Sequence, residues 1–250
     1  MILILTYHKV IRSSNSESDF YTITAEKFTR QLELLAKSNL RPLAPEALLT
    51  PQPDSTPCYA LTFDDGTEDH QQIVLPLLQK HNCRGIFFVP TAKISCPGYL
   101  SPEGVRQLSR AGQSIGLHSH EHRRMDRFTE EDLRVQFELS QNTLGELTGV
   151  RPVLFAPPGG YINSCVRRLA AEAGVRVIRT MRWGYNRKPN LTDLECIPIN
   201  RYIDEKEFGR ILKFERKNGL YSAKQVARTI LPARVYAALR DSFSSRLERS

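Results

Sequence analysis

Cys58-Tyr59-Ala60-Leu61-Thr62-Phe63-Asp64-Asp65-Gly66 decides the fold. Six residues that suit a buried strand run into two carboxylates and a glycine. A second apolar run, Ser114-Ile115-Gly116-Leu117, ends in His118-Ser119-His120-Glu121-His122. In both, the residues able to do chemistry begin where a strand gives way to a loop.

Outward from these two runs, the pattern predicts strands at 1–7, 58–63, 84–89, 114–117, 153–156, 175–180 and 196–199. Between them it predicts helices at 24–38, 68–81, from Ser101, from Thr129 to about Leu147, and at 163–173. Ser101-Pro102-Glu103 carries an N-cap serine and a proline at the first helical position. Residues 51–57, rich in proline, read as a loop. Strands alternating with helices imply parallel β/α units, and hence an α/β fold. In a β/α barrel the C-terminal strand ends collect on one face, so residues far apart in sequence can meet there.

The chain has 250 residues, enough for one large α/β domain, and 40% are hydrophobic. No apolar stretch is long enough to span a bilayer. The N-terminal run from Met1 to His8 has no basic segment before it and no small-residue cleavage site, so it reads as a first strand. The five cysteines are scattered and form no CxxC pair, which favours reduced thiols and a cytoplasmic setting. A net charge of +8 favours anionic surfaces: lipid head groups, a phosphate-bearing substrate, or solubility alone. No nucleic-acid module is recognisable, and nucleic acid is not expected as a partner.

From Ser222 to the C-terminus, Val226, Ile230, Val235, Leu239, Phe243 and Leu247 recur at roughly helical spacing among arginines, with Pro232 interrupting. A division into a domain at 1–220 and a basic amphipathic helical tail at 221–250 follows. The tail suits either packing on the domain or peripheral contact with an anionic membrane.

Carboxylate oxygen and imidazole nitrogen together suit Zn²⁺, with Ni, Co, Fe or Mn as alternatives. One Asp and two His leave positions open for water and substrate, and the second Asp is then free to act as a base. The pattern therefore points to metal-assisted hydrolysis. Plainer readings stand beside it: Asp-Asp-Gly as a turn after a strand, the histidines as ordinary core or surface residues, and Pro157-Pro158-Gly159-Gly160 as a turn.

Taken together, these motifs resemble the polysaccharide deacetylases of carbohydrate esterase family 4, the NodB-homology domain. Thr62-Phe63-Asp64-Asp65-Gly66 matches the first family motif, and His118 to His122 matches the second, His-(Ser/Thr)-x-x-His. Phe155-Ala156-Pro157-Pro158-Gly159-Gly160 resembles the third, with Ala156 where arginine is usual. The resemblance runs from about Leu3 to Ile203. It implies a distorted (β/α) barrel, a divalent metal, and hydrolysis of acetyl groups on sugars. It makes Asp65, His118 and His122 the metal ligands, Asp64 the general base, and the Gly159 amide the oxyanion donor. Pro157 and Pro158 have no N–H, so Gly159 is the first residue after them able to donate.

The chain departs from the family in three places. The late histidine that serves as acid in many members is absent, and Arg201 in Ile199-Asn200-Arg201 takes its place; arginine is a poor acid at neutral pH. The motif-three arginine is missing at Ala156. The motif-four aspartate is missing too, with Arg182 and Trp183 near its position. Arg182 is expected to supply the cation lost at Ala156 and so orient Asp64, with an ordinary surface ion pair as the alternative. Tyr7-His8 resembles the subgroup linked to exopolysaccharide synthesis. His8 is a candidate acid, substrate contact or supporting group, or else a structural histidine.

The leading expectation is a metal-dependent carbohydrate N-deacetylase acting on a polysaccharide, glycan precursor or lipid-linked sugar. A deformylase or other deacylase would share the same ligands. A degenerate sugar-binding module remains the alternative outside the enzymes.

Overall fold

The computed structural model describes residues 1–13, 19–49 and 56–215. Residues 51–55 of the expected loop, and the whole of the expected tail from 221, lie outside them. The chain up to Glu205 forms one compact unit, and a second begins at Lys206.

The strands are β1 (Ile2–Tyr7), β2 (Lys9–Ile11), β3 (Thr22–Thr24), β4 (Arg41–Pro42), β5 (Cys58–Phe63), β6 (Gly85–Val89), β7 (Ser114–Leu117), β8 (Leu154–Phe155), β9 (Val177–Trp183) and β10 (Leu194–Pro198). The helices are α1 (Ala25–Ala36), α2 (Leu75–Lys80), α3 (Pro102–Arg110), α4 (Glu130–Thr148), α5 (Ser164–Glu172) and α6 (Glu205–Leu212). Strands β5 to β10 pair in sequence order, all parallel, and β1 pairs with both β5 and β10. The ring is closed, and the expected (β/α) barrel is what the chain forms. β4 pairs with the first two residues of β5, while β6 pairs with the last three. β2 and β3 form a separate parallel pair that the sequence pattern did not announce.

Alternation sorts the barrel residues into two sets. Ile2, Ile4, Cys58, Ala60, Phe88 and Met181 belong to one buried cluster, the lumen. The intervening residues face the helices: Tyr7 meets Phe28 of α1 edge-on at 5.0 Å, and Phe63 stacks on Phe87 at 4.7 Å. Space inside is tight. A Cβ on Gly116 would sit 2.6 Å from the Phe88 ring, so glycine there lets the ring cross the lumen. Higher up, the Thr6 and Thr62 hydroxyls pair at 2.9 Å.

The helices begin where their caps are. Ser101 Oγ accepts from Gly104 N at 3.0 Å, Thr129 Oγ1 from Asp132 N at 3.1 Å, and Asn163 Oδ1 from Val166 N at 2.9 Å. The helix expected over 68–81 instead opens with a π-helical turn, His70–Val74, before α2. Among the described residues no helix is long and apolar enough to cross a membrane.

Candidate metal centre

Every candidate side chain lies at or just beyond the C-terminal end of a barrel strand. The β1–β5 ladder runs one bond past the strands, with Asp64 N donating to Tyr7 O at 2.9 Å. This keeps Asp64 in the lumen-facing series after Ala60 and Thr62. By the same alternation Asp65 would face outward. Its left-handed backbone (φ 75°) and that of Gly66 (φ 61°) turn the chain and bring the carboxylate back over the mouth. Gly66 is needed twice over, since a Cβ there would also lie 3.1 Å from Val89 Cγ1.

Asp65 Oδ1 lies 2.9 Å from His122 Nε2 and 3.3 Å from His118 Nε2. One donor atom from each of Asp65, His118 and His122 lies within 4.8 Å of the other two. His118 Nδ1 donates to the Ala156 carbonyl at 2.6 Å, which fixes the tautomer and leaves Nε2 as a ligand atom. A carboxylate oxygen and two imidazole nitrogens on one point fit a divalent cation. Burial alone would raise the Asp65 pKa, but the adjoining imidazoles of His118 and His122 outweigh it and hold the group well below the usual carboxylate range. His120 Nδ1 is hydrogen-bonded to Thr91 Oγ1 at 2.8 Å.

Asp64 is 2% exposed. Burial pushes its pKa up, and Arg179, His118 and His8 more than reverse this, so the group sits below its ordinary value. Its cation is Arg179, also 2% exposed, whose guanidinium donates directly to Asp64 Oδ1. This corrects the expectation for Arg182, which pairs instead with Asp193 at 2.6 Å on the outside of the barrel. The physical reason is strand parity. β9 runs through to Trp183, beyond the expected end at 180. Residues 179 and 182 are three apart and so face opposite sides. The register Phe155↔Ile178 places Arg179 beside Ala156 on the neighbouring strand. The cation beside Asp64 is therefore supplied from β9, three residues before Arg182. A signal was present: Arg179 is a single charge inside the apolar run Val177-Ile178-Arg179-Thr180-Met181, and a buried charge requires a partner.

His8 lies at the same mouth, Nε2 3.9 Å from Asp64 Oδ2, with its ring stacked on Tyr21 at 4.5 Å. Burial is the main cause of its lowered pKa, against the pull of Asp65 and Asp64. The π-helical turn braces its backbone. His70 Nε2 donates to His8 O at 2.6 Å, and Asp69 Oδ2 accepts from Val10 N at 2.8 Å. Gly159 takes φ 61° in the turn after β8, where Gly160 N donates to Pro157 O at 2.7 Å. Arg201 follows β10, its guanidinium 5.6 Å from the centre of the Tyr202 ring.

A closed parallel barrel that carries at its C-terminal mouth three donor atoms able to hold a metal ion, with a separate buried carboxylate beside them, defines a class of barrel proteins with a candidate metal site. Within that class the chain belongs to the polysaccharide deacetylase family, whose model matches residues 52–178. It is 32% identical over 138 residues to a peptidoglycan-N-acetylglucosamine deacetylase of Bacillus cereus, covering 55% of this chain and 61% of that protein. It is 31% identical over 132 residues to the peptidoglycan-N-acetylglucosamine deacetylase PgdA of Listeria monocytogenes, covering 50% of this chain and 27% of that one. The chain thus spans less than two thirds of the length of these relatives. The Streptococcus pyogenes deacetylase PplD, solved in complex with acetate, shares the fold with a TM-score of 0.77 at 20% identity, over 86% of this chain and 98% of that one.

Proposed function

We propose that this chain is a metal-dependent hydrolase, with zinc as the ion, that removes acetyl groups from N-acetylated sugars of a polysaccharide or glycan precursor. The observation that carries this reading is a buried, ionised carboxylate, Asp64, standing beside but outside the Asp65–His118–His122 cluster. Binding a sugar would not require such a base, which weighs against the non-catalytic alternative. The family relatives named for N-acetylglucosamine deacetylation supply the substrate class.

Asp65, His118 and His122 would hold the ion. A divalent cation in such a site polarises an acyl oxygen and acidifies a water. Asp64, kept ionised and oriented by Arg179, takes the proton of the attacking water as the new C–O bond forms. The Gly159 amide stabilises the oxyanion, since Pro157 and Pro158 have no N–H to give and Gly160 N is spent on Pro157 O. His8, neutral near pH 7 because burial lowers its pKa, stands 3.9 Å from Asp64. It is placed to pass that proton to the amine nitrogen as the C–N bond breaks and acetate leaves.

The test is acetate release from N-acetylglucosamine oligomers, with N-formyl analogues in parallel. Zinc-loaded protein should release acetate, a chelator should stop it, and Asp64→Asn should retain zinc while losing turnover. Release that survives both the chelator and Asp64→Asn would end the proposal, and a preference for N-formyl sugars would transfer it to a deformylase.

A further inference from the structure

We propose that Gln136 is a positioning residue of the metal centre: its side-chain amide, reaching out of α4, holds the 118–122 loop in the backbone geometry that aims both histidines at Asp65. The inference rests on reading the Asp65–His118–His122 cluster as a metal site. Gln136 is 2% exposed and lies outside every motif that identifies the family. Its Oε1 accepts from His120 N and from Glu121 N, each at 3.0 Å, and its Nε2 donates to Glu121 Oε1 at 3.1 Å. One buried amide thus satisfies two consecutive backbone donors and the side chain between the two ligands.

The loop needs such a hold. Ser119 and His122 are non-glycine residues at φ 59° and 58°, a conformation that persists only when the surroundings impose it. Ser119 Oγ contributes from within, accepting from His122 N at 2.9 Å. Ala92 N fixes the His120 carbonyl at 2.9 Å from the other side. His122 follows Glu121 directly, so a shift of the 120–121 peptide moves the ring that closes the site. An apolar side chain at 136 would leave two inward N–H groups without an acceptor, and the loop would relax towards ordinary backbone angles.

The same helix provides a control. Gln141 is 1% exposed, and its Nε2 donates to Pro152 O at 3.2 Å and Ala173 O at 2.9 Å. It ties down loops that hold no proposed ligand. The experiment measures the zinc dissociation constant of the full chain by competition with a chromophoric chelator, together with the visible spectrum of the Co²⁺-substituted protein. Gln136→Met should weaken zinc about tenfold or more and alter the Co²⁺ bands, while Gln141→Met should lower thermal stability and leave both readouts unchanged. Gln136→Asn, which keeps an amide but shortens its reach by one methylene, should behave like Gln136→Met and serves if that variant does not fold. Zinc affinity within about twofold of wild type in the Gln136 variants, or an equal loss in Gln141→Met, would overturn the proposal. Wild-type protein that binds no zinc would overturn this inference together with the metal reading, whereas wild-type binding with unaffected Gln136 variants would overturn this inference alone.

Discussion

Replacing Arg179 by methionine would test the pairing at the centre of the barrel. The two side chains are 2% and 3% exposed, so the variant would leave Asp64 as a buried carboxylate without its cation. Breaking a buried pair in this way costs about 3–5 kcal/mol if Asp64 remains charged. If Asp64 instead takes up a proton, holding a carboxyl of ordinary pKa about 3.9 neutral at pH 7 costs about 1.36 × 3.1, or roughly 4 kcal/mol. Both routes give one scale. At about 2–4 °C per kcal/mol for a chain of this size, the melting temperature should fall by about 6–20 °C.

The pH dependence has a definite sign. In wild type the folded-state pKa of Asp64 lies below its unfolded value. The stability this contributes is therefore present in full above the unfolded pKa of about 3.9, and is lost as pH falls through the lowered folded value. In the variant, burial without Arg179 raises Asp64 above its unfolded value, and the penalty fades on acidification. The gap between the two proteins should thus be widest near neutrality and narrow at about pH 4. Urea denaturation in excess chelator at both pH values measures this without any contribution from bound metal. Equal losses at the two pH values would mean that packing, not charge, is what Arg179 supplies. No loss at all would refute the pairing. Arg182→Met, whose side chain is 54% exposed against Asp193, should cost no more than about 1 kcal/mol.

Two further outcomes are expected. His8→Asn should lower kcat about 10²–10⁴-fold with zinc content and KM retained, and turnover near wild type would make His8 a structural ring held by Tyr21 and His70. Gly116→Ala would force its Cβ to 2.6 Å from the Phe88 ring and should cost about 1–3 kcal/mol in urea denaturation, whereas an unchanged midpoint would show that the strand shifts at no cost.

The Asp65–His118–His122 cluster and the barrel were legible because both are written locally. Cys58–Phe63 and Ser114–Leu117 announce strands by composition, and the acids and imidazoles follow each strand without a gap. The cap at Ser101 was equally local. The π-helical turn at His70–Val74 was not, because its i→i+5 bonding leaves no distinct composition, and its service to His8 spans 62 residues.

The amino-acid sequence by itself determined which donors exist and that they sit where strands end, while the left-handed backbone of Asp65 and Gly66 that turns one carboxylate back over the mouth appears only in the structure. Tertiary structure alone decided which arginine reaches Asp64. That pair is 115 residues apart, and the choice between Arg179 and Arg182 depends on the length of β9 and on side-chain parity in a closed sheet. It also placed Gln136 beneath the histidine loop, where only the packing of α4 against that loop brings a buried amide to two peptide N–H groups. Short-range patterns fix what each strand offers at its end. Strand register and helix packing fix which distant groups meet, because a shift of one residue would exchange the lumen for the outer face.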